Sequence, residues 1–481
     1  MYLGIDLGTS GVKSVLMNDD QVIVASMTAA LDVSRPHDGW SEQNPEHWIQ
    51  ALSDTLDALK QQHAAELAAV RGIGLSGHMH GATLLDKDNK VIRPCILWND
   101  TRSHIEAAKL DTPASRDISG NILFPGFTAP KTEWVRVNEA AAFDKVAKVL
   151  LPKDYVRYWL TGEHVSEMSD AAGTGWLDVS KRDWSVDLLE TMHLGIEHMP
   201  RLVEGTEVSG ELRDELKNRY GMSASVVVAG GAGDNAATAC AMGTVKAGQA
   251  FVSLGTSGVL FAANDAYLPN PASAVHTFCH ALPDTWHQMG VILAATDSLN
   301  WLASVLGKTP SELTSALESS DVTPSSVVFL PYLGGERTPH NDASARGVFL
   351  GLSHTDDATD LTRAVLQGVA FAFKDCQQAL ATAGTSITRA SAVGGGANSP
   401  YWLKLIAETA GFPIDIPNDG DYGASLGAAR LGMIAASSTD PLTVCVPPKM
   451  EQTIEPIGKN NDEFNEQYTR YKAAYQALKS V

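Results

Sequence analysis

No apolar run in this sequence is long enough to span a bilayer. The opening Met1-Tyr2-Leu3-Gly4-Ile5-Asp6 has no basic segment ahead of its apolar stretch and carries an acid within it, so no targeting signal is expected. Cysteine is scarce. Five residues (Cys95, Cys240, Cys279, Cys376, Cys445) form an odd, scattered set without a CxxC pair, which argues against a disulfide framework or a zinc ribbon and for a reduced, cytoplasmic protein. Basic residues are in deficit: 36 Lys+Arg against 56 Asp+Glu leave a net charge of −20. Nucleic acid and anionic membrane surfaces are therefore poor partners. Two familiar nucleotide signatures are missing as well, the GxxxxGKS/T phosphate loop and a GxGxxG run with a ribose-binding acid about 20 residues on.

What remains is an ordinary globular composition, 44% hydrophobic and 19% charged over 481 residues, too long for one core and suited to two or three domains. The chain repeats itself once. Leu7-Gly8-Thr9-Ser10-Gly11-Val12 reappears letter for letter as Leu254-Gly255-Thr256-Ser257-Gly258-Val259. Both copies lie between apolar, β-prone runs and read as hairpins with a tight Gly-Thr-Ser-Gly turn. Their separation is too large for a solenoid period and indicates two homologous lobes, with a boundary between Met242 and Gln249. Elsewhere the pattern is α/β. Helical periodicity marks Pro45 to Gln62 and Leu361 to Ala383, and Val-rich strands at Ser225 to Ala229 and Ala390 to Val393 run into glycines. Ser399-Pro400 makes a helix start and Gly411 a stop. The tail predicts a helix from Phe464 to Leu478 packed on the outside.

Several of these features carry chemistry. A Gly-Thr-Ser-Gly turn offers consecutive N–H groups and two hydroxyls, a nest for phosphate oxygens. In the first copy Gly8, Thr9 and Ser10 supply it and Lys13 reaches the same place, while Asp6, on the strand face of Gly4 and Gly8, points toward Mg²⁺ beside the phosphates. In the second copy the nest is Gly255, Thr256 and Ser257. A single copy reads as a plain turn; two facing copies suit a bridged triphosphate. Gly394-Gly395-Gly396-Ala397-Asn398-Ser399 follows a strand and offers Gly395, Gly396 and Asn398 as a seat for adenosine. Ala229-Gly230-Gly231-Ala232-Gly233-Asp234-Asn235 ends a strand in a loop with an acid at its tip. Asp234 reads either as a helix N-cap or as the carboxylate that takes a proton from an attacking hydroxyl, with Asn235 beside it for a sugar.

His78-Met79-His80 places both imidazoles on one strand face, a wall for a polyol, with Met79 against the carbon skeleton. His276, Cys279 and His280 lack further ligands at metal spacing, so the two histidines are expected to satisfy each other and backbone groups. Trp98-Asn99-Asp100 adds an aromatic face and polar groups after an apolar strand, a makeup common in sugar contacts.

Together these motifs resemble the FGGY carbohydrate kinases. The likeness is carried by Gly4 to Ser10, Trp40 to Pro45, Met79-His80-Gly81-Ala82, Leu97 to Asp100, and Pro125 to Trp134 around Lys131. It continues through Leu151 to Tyr155, Gly233 to Ala236, Leu330-Pro331-Tyr332, Gly335 to Pro339, Gly347 to Leu352 and Gly394 to Gly396, and it thins after Pro441. The resemblance implies an α/β fold of two actin-like (ribonuclease H-like) lobes around a central cleft. Residues 1–245 would carry the sugar site and catalytic base, and residues 246–481 the nucleotide site. It implies ATP with Mg²⁺, a small-molecule ketose as acceptor, Asp234 as base, sugar contacts from Met79, His80, Asp234 and Asn235, and a possible homodimer. Three residues depart from the family pattern: Ala232 interrupts a glycine run, and Thr296-Asp297 stands where small neutral residues are usual and leaves sugar preference open if its helix faces the cleft. The competing readings are an actin-like ATPase without a sugar and a sugar-binding regulator that has lost catalysis. Stimulation of ATP turnover by a sugar separates all three.

Overall fold

The repeated hexapeptide closes two β-hairpins, each set within its own seven-stranded sheet, in the computed structural model, which describes residues 1–222, 225–418 and 423–479. The first sheet comprises β1 (Tyr2–Leu7), β2 (Gly11–Met17), β3 (Ile23–Ala30), β4 (Gly72–Gly77), β5 (Val208–Glu211), β6 (Val227–Ala229) and β7 (Ala232–Gly233). The second comprises β8 (Gln249–Leu254), β9 (Gly258–Asn264), β10 (His276–Cys279), β11 (Trp286–Ile292), β12 (Arg389–Val393), β13 (Ile414–Pro417) and β14 (Met450–Ile454).

Sheet order shows that the repeat extends far beyond six letters. The path β3-β2-β1-β4-β6-β5 in the first sheet matches β11-β9-β8-β12-β13-β14 in the second. In both paths the pairings run antiparallel, antiparallel, parallel, parallel, antiparallel. β7 and β10 are the additions.

Helices cover the sheets where their apolar stripes demand it. In α1 (Pro45–Gln62), Asn44 caps the Glu46 N–H, and Trp48, Ile49, Leu52, Leu56 and Leu59 are buried along one side, the spacing of a single helical face. Each large apolar side chain so buried contributes about 1.5–3 kcal/mol. Three further helices in the first half bear on the site: α2 (Thr128–Asn138), α3 (Pro152–Thr161) and α4 (Asp234–Met242). In the second half α5 (Thr296–Leu306) precedes α6 (Ala358–Thr382), which begins three residues earlier than periodicity indicates. The reason is a capping box: Asp357 accepts from the Thr359 and Asp360 N–H groups while Asp360 reaches back. α7 (Pro400–Ala410) starts at the Ser399 cap and stops at a left-handed Gly411, as the sequence indicates.

α8 (Gly423–Ser437) belongs by sequence to the second half but packs on β1, β4 and α4 of the first. The approach is so close that a Cβ on Gly74 would lie 1.7 Å from the Ala428 carbonyl oxygen. Glycine on the strands is what lets this helix seat. α9 (Asn461–Leu478) is less peripheral than expected, since Phe464, Tyr468, Tyr471 and Tyr475 are buried in the second core with Phe371 and Trp402. Between the halves one apolar layer joins Leu123 and Phe127 to Phe251, Phe261 and Phe278.

Candidate active site

Three strands of the first sheet run parallel and end at one edge. Asp6 on β1 is level with Ser76 on β4, and Ser76 is level with Ala232 on β7; one step on, Leu7, Gly77 and Gly233 are level in the same way. Asp6 and the residue after Gly233, Asp234, are thus delivered to the same carboxyl edge on either side of β4. In α/β sheets that edge is where ligands bind.

Asp234 is the first residue of α4, and Gly233 takes the cap position without a side-chain bond, so the simple N-cap reading of Asp234 does not hold. Its Oδ1 accepts from the Asn235 N–H at 2.7 Å and from the Asn235 side-chain amide at 3.0 Å. Burial pushes the Asp234 carboxyl up to about 6, with the Asp6 charge adding to the rise. Burial likewise raises Asp6, against the opposing pull of Lys13, which sits directly across the hairpin from it.

β4 stops at Gly77, and this overturns the expectation that His78 and His80 share a strand face. His78 turns inward, edge-on to Trp48 with ring centroids 5.7 Å apart, and is buried. His80 adopts a left-handed backbone, φ 72°, which breaks the alternation. Its carbonyl is held by Lys131 Nζ and Thr128 Oγ1, each at 3.0 Å, and its ring stacks on Phe127 at 4.7 Å. Burial pulls the imidazole down to about 3, so it is neutral. Its Nδ1 lies 2.6 Å from the Gly173 carbonyl oxygen; only a protonated Nδ1 makes that contact favourable, which leaves Nε2 with the lone pair. Met79 is buried and fills the space where Gly233 lacks a side chain: a Cβ there would meet Met79 Cγ and Sδ at 2.9 Å. Met79, beside His80, thus packs against the residue that precedes Asp234.

The first hairpin turn is closed by the Gly8 N–H to the Gly11 carbonyl at 2.9 Å. Gln43 Nε2 donates to the Thr9 carbonyl at 2.8 Å, and Trp98 Nε1 donates to Thr9 Oγ1 at 3.0 Å. Trp98 is 47% exposed, with Asn99 exposed next to it. Asp100 is structural, gripping Arg102 and the Ser41 N–H.

The second hairpin is held through its backbone. The Gly255 carbonyl accepts from the N–H and hydroxyl of Thr296 at 3.0 and 2.8 Å, and the Thr256 carbonyl accepts from the Ala295 N–H at 2.9 Å. Thr256 and Ser257 are exposed. The Gly394–Gly396 loop closes against Leu254, and a cavity of about 410 Å³ opens beside it, lined by Gly395, Gly396, Asn398, Thr296, Asn300 and Trp402 among others. Thr296 thus faces this cavity and the second hairpin, and the departure at Thr296-Asp297 does not touch the Met79–His80 cluster. The other histidine pair also separates. His276 Nε2 meets Arg337 at 3.4 Å, while His280 Nε2 bonds the Thr244 carbonyl at 3.1 Å.

Sequence reasoning missed Thr296 and Trp402 as cavity walls and Gly173 as the partner of His80. It also assigned nothing to Lys153, Arg157 and Ser169 behind the Asp234 loop. Lys153 lay within a quoted motif; nothing local marked the others.

Comparison with known proteins agrees with this geometry. The FGGY family of carbohydrate kinases matches in two parts, its N-terminal domain over residues 1–241 and its C-terminal domain over residues 250–436. The chain is 47% identical to a xylulose kinase of Escherichia coli (strain K12), covering 99% of both chains. It is 32% identical to one of Bacillus subtilis (strain 168), covering 100% of this chain and 97% of the relative. Among solved structures, a xyloylose kinase from Brucella ovis superimposes with a TM-score of 0.98 at 59% identity, over 100% of this chain and 99% of the other. A xylulose kinase from Rhodospirillum rubrum gives 0.92 at 27%, over 100% and 99%. The two sheets are the paired actin-like, ribonuclease H-like lobes of these enzymes, and ATP is their co-substrate. The chain belongs to the FGGY family of carbohydrate kinases.

Proposed function

We propose that this enzyme transfers the γ-phosphoryl group of ATP to the terminal hydroxyl of D-xylulose, with Asp234 as general base. The observation that carries the assignment of the base is the delivery of Asp234 and Asp6 to one strand edge, with the Asp234 carboxyl raised to about 6. Such a group is ionised at neutral pH and still basic enough to accept a proton. The substrate rests on relatives described as xylulose kinases that align over nearly the whole chain.

In this reading the ketose lies against Met79 and His80, with its reacting end at Asp234 and Asn235 and with Trp98 and Asn99 nearby. The His80 Nε2 lone pair accepts from a sugar hydroxyl, because Nδ1 is already committed to Gly173. The phosphate chain is cradled by Gly8, Thr9, Ser10 and Lys13 on one side and by Gly255, Thr256 and Ser257 on the other. The adenosine enters the cavity at Gly395, Gly396 and Asn398. Asp6 is a fitting ligand for Mg²⁺, since a carboxylate whose burial disfavours its charge is relieved by a cation. When bound, the ion supplies neutralisation of phosphate charge.

The reaction is in-line. Asp234 removes the proton of the primary hydroxyl, the oxygen forms a bond to the γ-phosphorus, and the bond to the β,γ-bridging oxygen breaks to release ADP. N–H groups of the two hairpins stabilise the charge that develops. Closure of the lobes excludes water, a smaller competitor for the same phosphoryl group.

The test is ADP release measured over a panel of D-xylulose, D-ribulose, L-ribulose, glycerol and D-gluconate. D-Xylulose is expected to give the highest kcat/KM. A preference for another sugar of about tenfold or more overturns the substrate, and ATP turnover indifferent to every sugar overturns the acceptor site itself.

A further inference from the structure

Behind the loop that carries Asp234 lies a group of acidic and basic side chains with no access to solvent. Lys153 on α3 places Nζ 2.9 Å from Asp154, 3.4 Å from Glu167 and 3.5 Å from Asp170, and Arg157 lies 3.5 Å from Asp154; all five side chains are fully buried. Burial lowers the tendency of Lys153 to hold its proton, but Asp154 and Glu167 more than restore it. Burial raises Asp170 well above the ordinary aspartate range, with Lys153 opposing and with Asp154, Glu167 and Asp234 pushing further. Buried ion groups are an inefficient source of stability, because desolvation cancels most of the attraction. Their effect here is better sought in geometry.

The cluster reaches the Asp234 loop at two points. Arg157 donates to the carbonyls of Ala229 and Gly230, both at 2.5 Å. Ser169 Oγ accepts the Gly233 N–H at 3.0 Å while donating to Glu167 at 2.8 Å. The loop between these grips contains Gly230 and Gly231, the second left-handed at φ 74°, and has little stiffness of its own. Lys153 also packs under Gly77, the residue level with Gly233 across the strand pair.

We infer that Ser169, held by Glu167, which Lys153 in turn contacts, is a positioning residue for Asp234: it fixes the Gly233 peptide, and with it the direction in which the adjoining carboxylate meets the acceptor hydroxyl. Arg157 anchors the other end of the same loop. The inference rests on Asp234 being the base. It assigns the cluster to turnover and not to substrate affinity, since none of its members lies among the proposed sugar or nucleotide contacts.

A double-mutant cycle tests it. Ser169→Ala removes the acceptor of the Gly233 N–H and leaves packing nearly unchanged. Its kcat should fall by about tenfold to a hundredfold, the cost of misplacing a reacting group by up to about an ångström. KM for both substrates and the calorimetric stoichiometry of sugar binding should stay at the parent values. In an Asp234→Asn background the same substitution should cost nothing further, because residues that act through one group are not additive. An equal loss in both backgrounds, a kcat within twofold of the parent, or a loss matched by a fall in binding stoichiometry each overturns the inference. Failure of the premise shows separately, as an Asp234→Asn enzyme that retains full turnover.

Discussion

The two hairpins are identical in six letters and differ in what surrounds them. Around Leu7–Val12 the neighbouring strand leads to the Met79–His80 cluster, Asp6 precedes the turn, and the Thr9 hydroxyl is taken by Trp98. Around Leu254–Val259 the strand in the equivalent position, β12, leads to the Gly394–Gly396 loop, Ser253 stands where Asp6 would be, and the turn is tied down only through its backbone, leaving Thr256 exposed. The same Gly-Thr-Ser-Gly turn therefore borders an acidic edge near Met79 and His80 in one lobe and a roomy cavity in the other. Duplicated backbone supplied the same glycine turn twice; the proposed division of labour comes from the residues at the ends of the adjacent strands.

If that division is right, the largest effect belongs to the first lobe. Asp234→Asn should lower kcat by about 10²–10⁴ while ATP and sugar binding persist, the usual worth of a positioned base. Steady-state rates and calorimetry on the same variant decide it, and turnover within about threefold of the parent, set against that expected loss, removes Asp234 from the mechanism. The parent's kcat should also fall as pH drops through about 6, where its carboxyl takes up a proton. Asp6→Asn should come next, with a loss of about 10²–10³ and a raised requirement for Mg²⁺, seen in a metal titration. The equivalent change Ser253→Ala in the second lobe should leave the metal titration where it was. Equal effects of the two would erase the distinction between the lobes.

The hairpins can be compared directly by Thr9→Val and Thr256→Val. Both should raise KM for ATP several-fold, about the value of one hydrogen bond to a charged group. Only Thr9→Val should also disturb the sugar KM, because it frees the Trp98 indole. Identical profiles for the two variants would show that the surroundings do not matter.

The smallest expected effect concerns stability. Asp234 has a folded-state value of about 6 against an ordinary 3.8, so rising pH ionises the unfolded chain first and the folded protein loses stability across that window. Asp234→Asn removes the penalty. It should stabilise the protein by about 3 kcal/mol near pH 8 and by about 0.5 kcal/mol near pH 4, read from denaturant midpoints at the two pH values. A stability gain that does not vary with pH would place its origin elsewhere than in the carboxyl charge.

Where the sequence was legible, the determinants are local. Asn44-Pro45 and Ser399-Pro400 started helices where expected, and Gly411 stopped one, because caps and turns depend on a few neighbouring residues. The hairpins followed from turn chemistry flanked by apolar strands. Where the reading went astray, the cause lies at a distance. The supposed shared face of His78 and His80 failed because β4 ends at Gly77 and a contact from Lys131 and Thr128, about fifty positions along the chain, holds His80 left-handed. The tail looked polar and external, yet four of its aromatics fill a core built by α6 and α7. That Thr296 lies at the second hairpin follows only from its bond to Gly255, about forty positions away.

By itself the sequence determined the duplication, the two glycine turns, the acid at the tip of the 229–234 loop and the membership of a kinase family, since each is written in contiguous residues whose spacing fixes the local backbone. Tertiary structure alone decided which motif meets which. Register across β1, β4 and β7 brought Asp6 and Asp234 to one edge, the path of α8 locked the second half onto the first sheet, and a buried set of charges from α3 and the segment after it took hold of the Asp234 loop. Those pairings are set by non-local packing, where the free energy of a contact depends on both partners and on everything that excludes water around them.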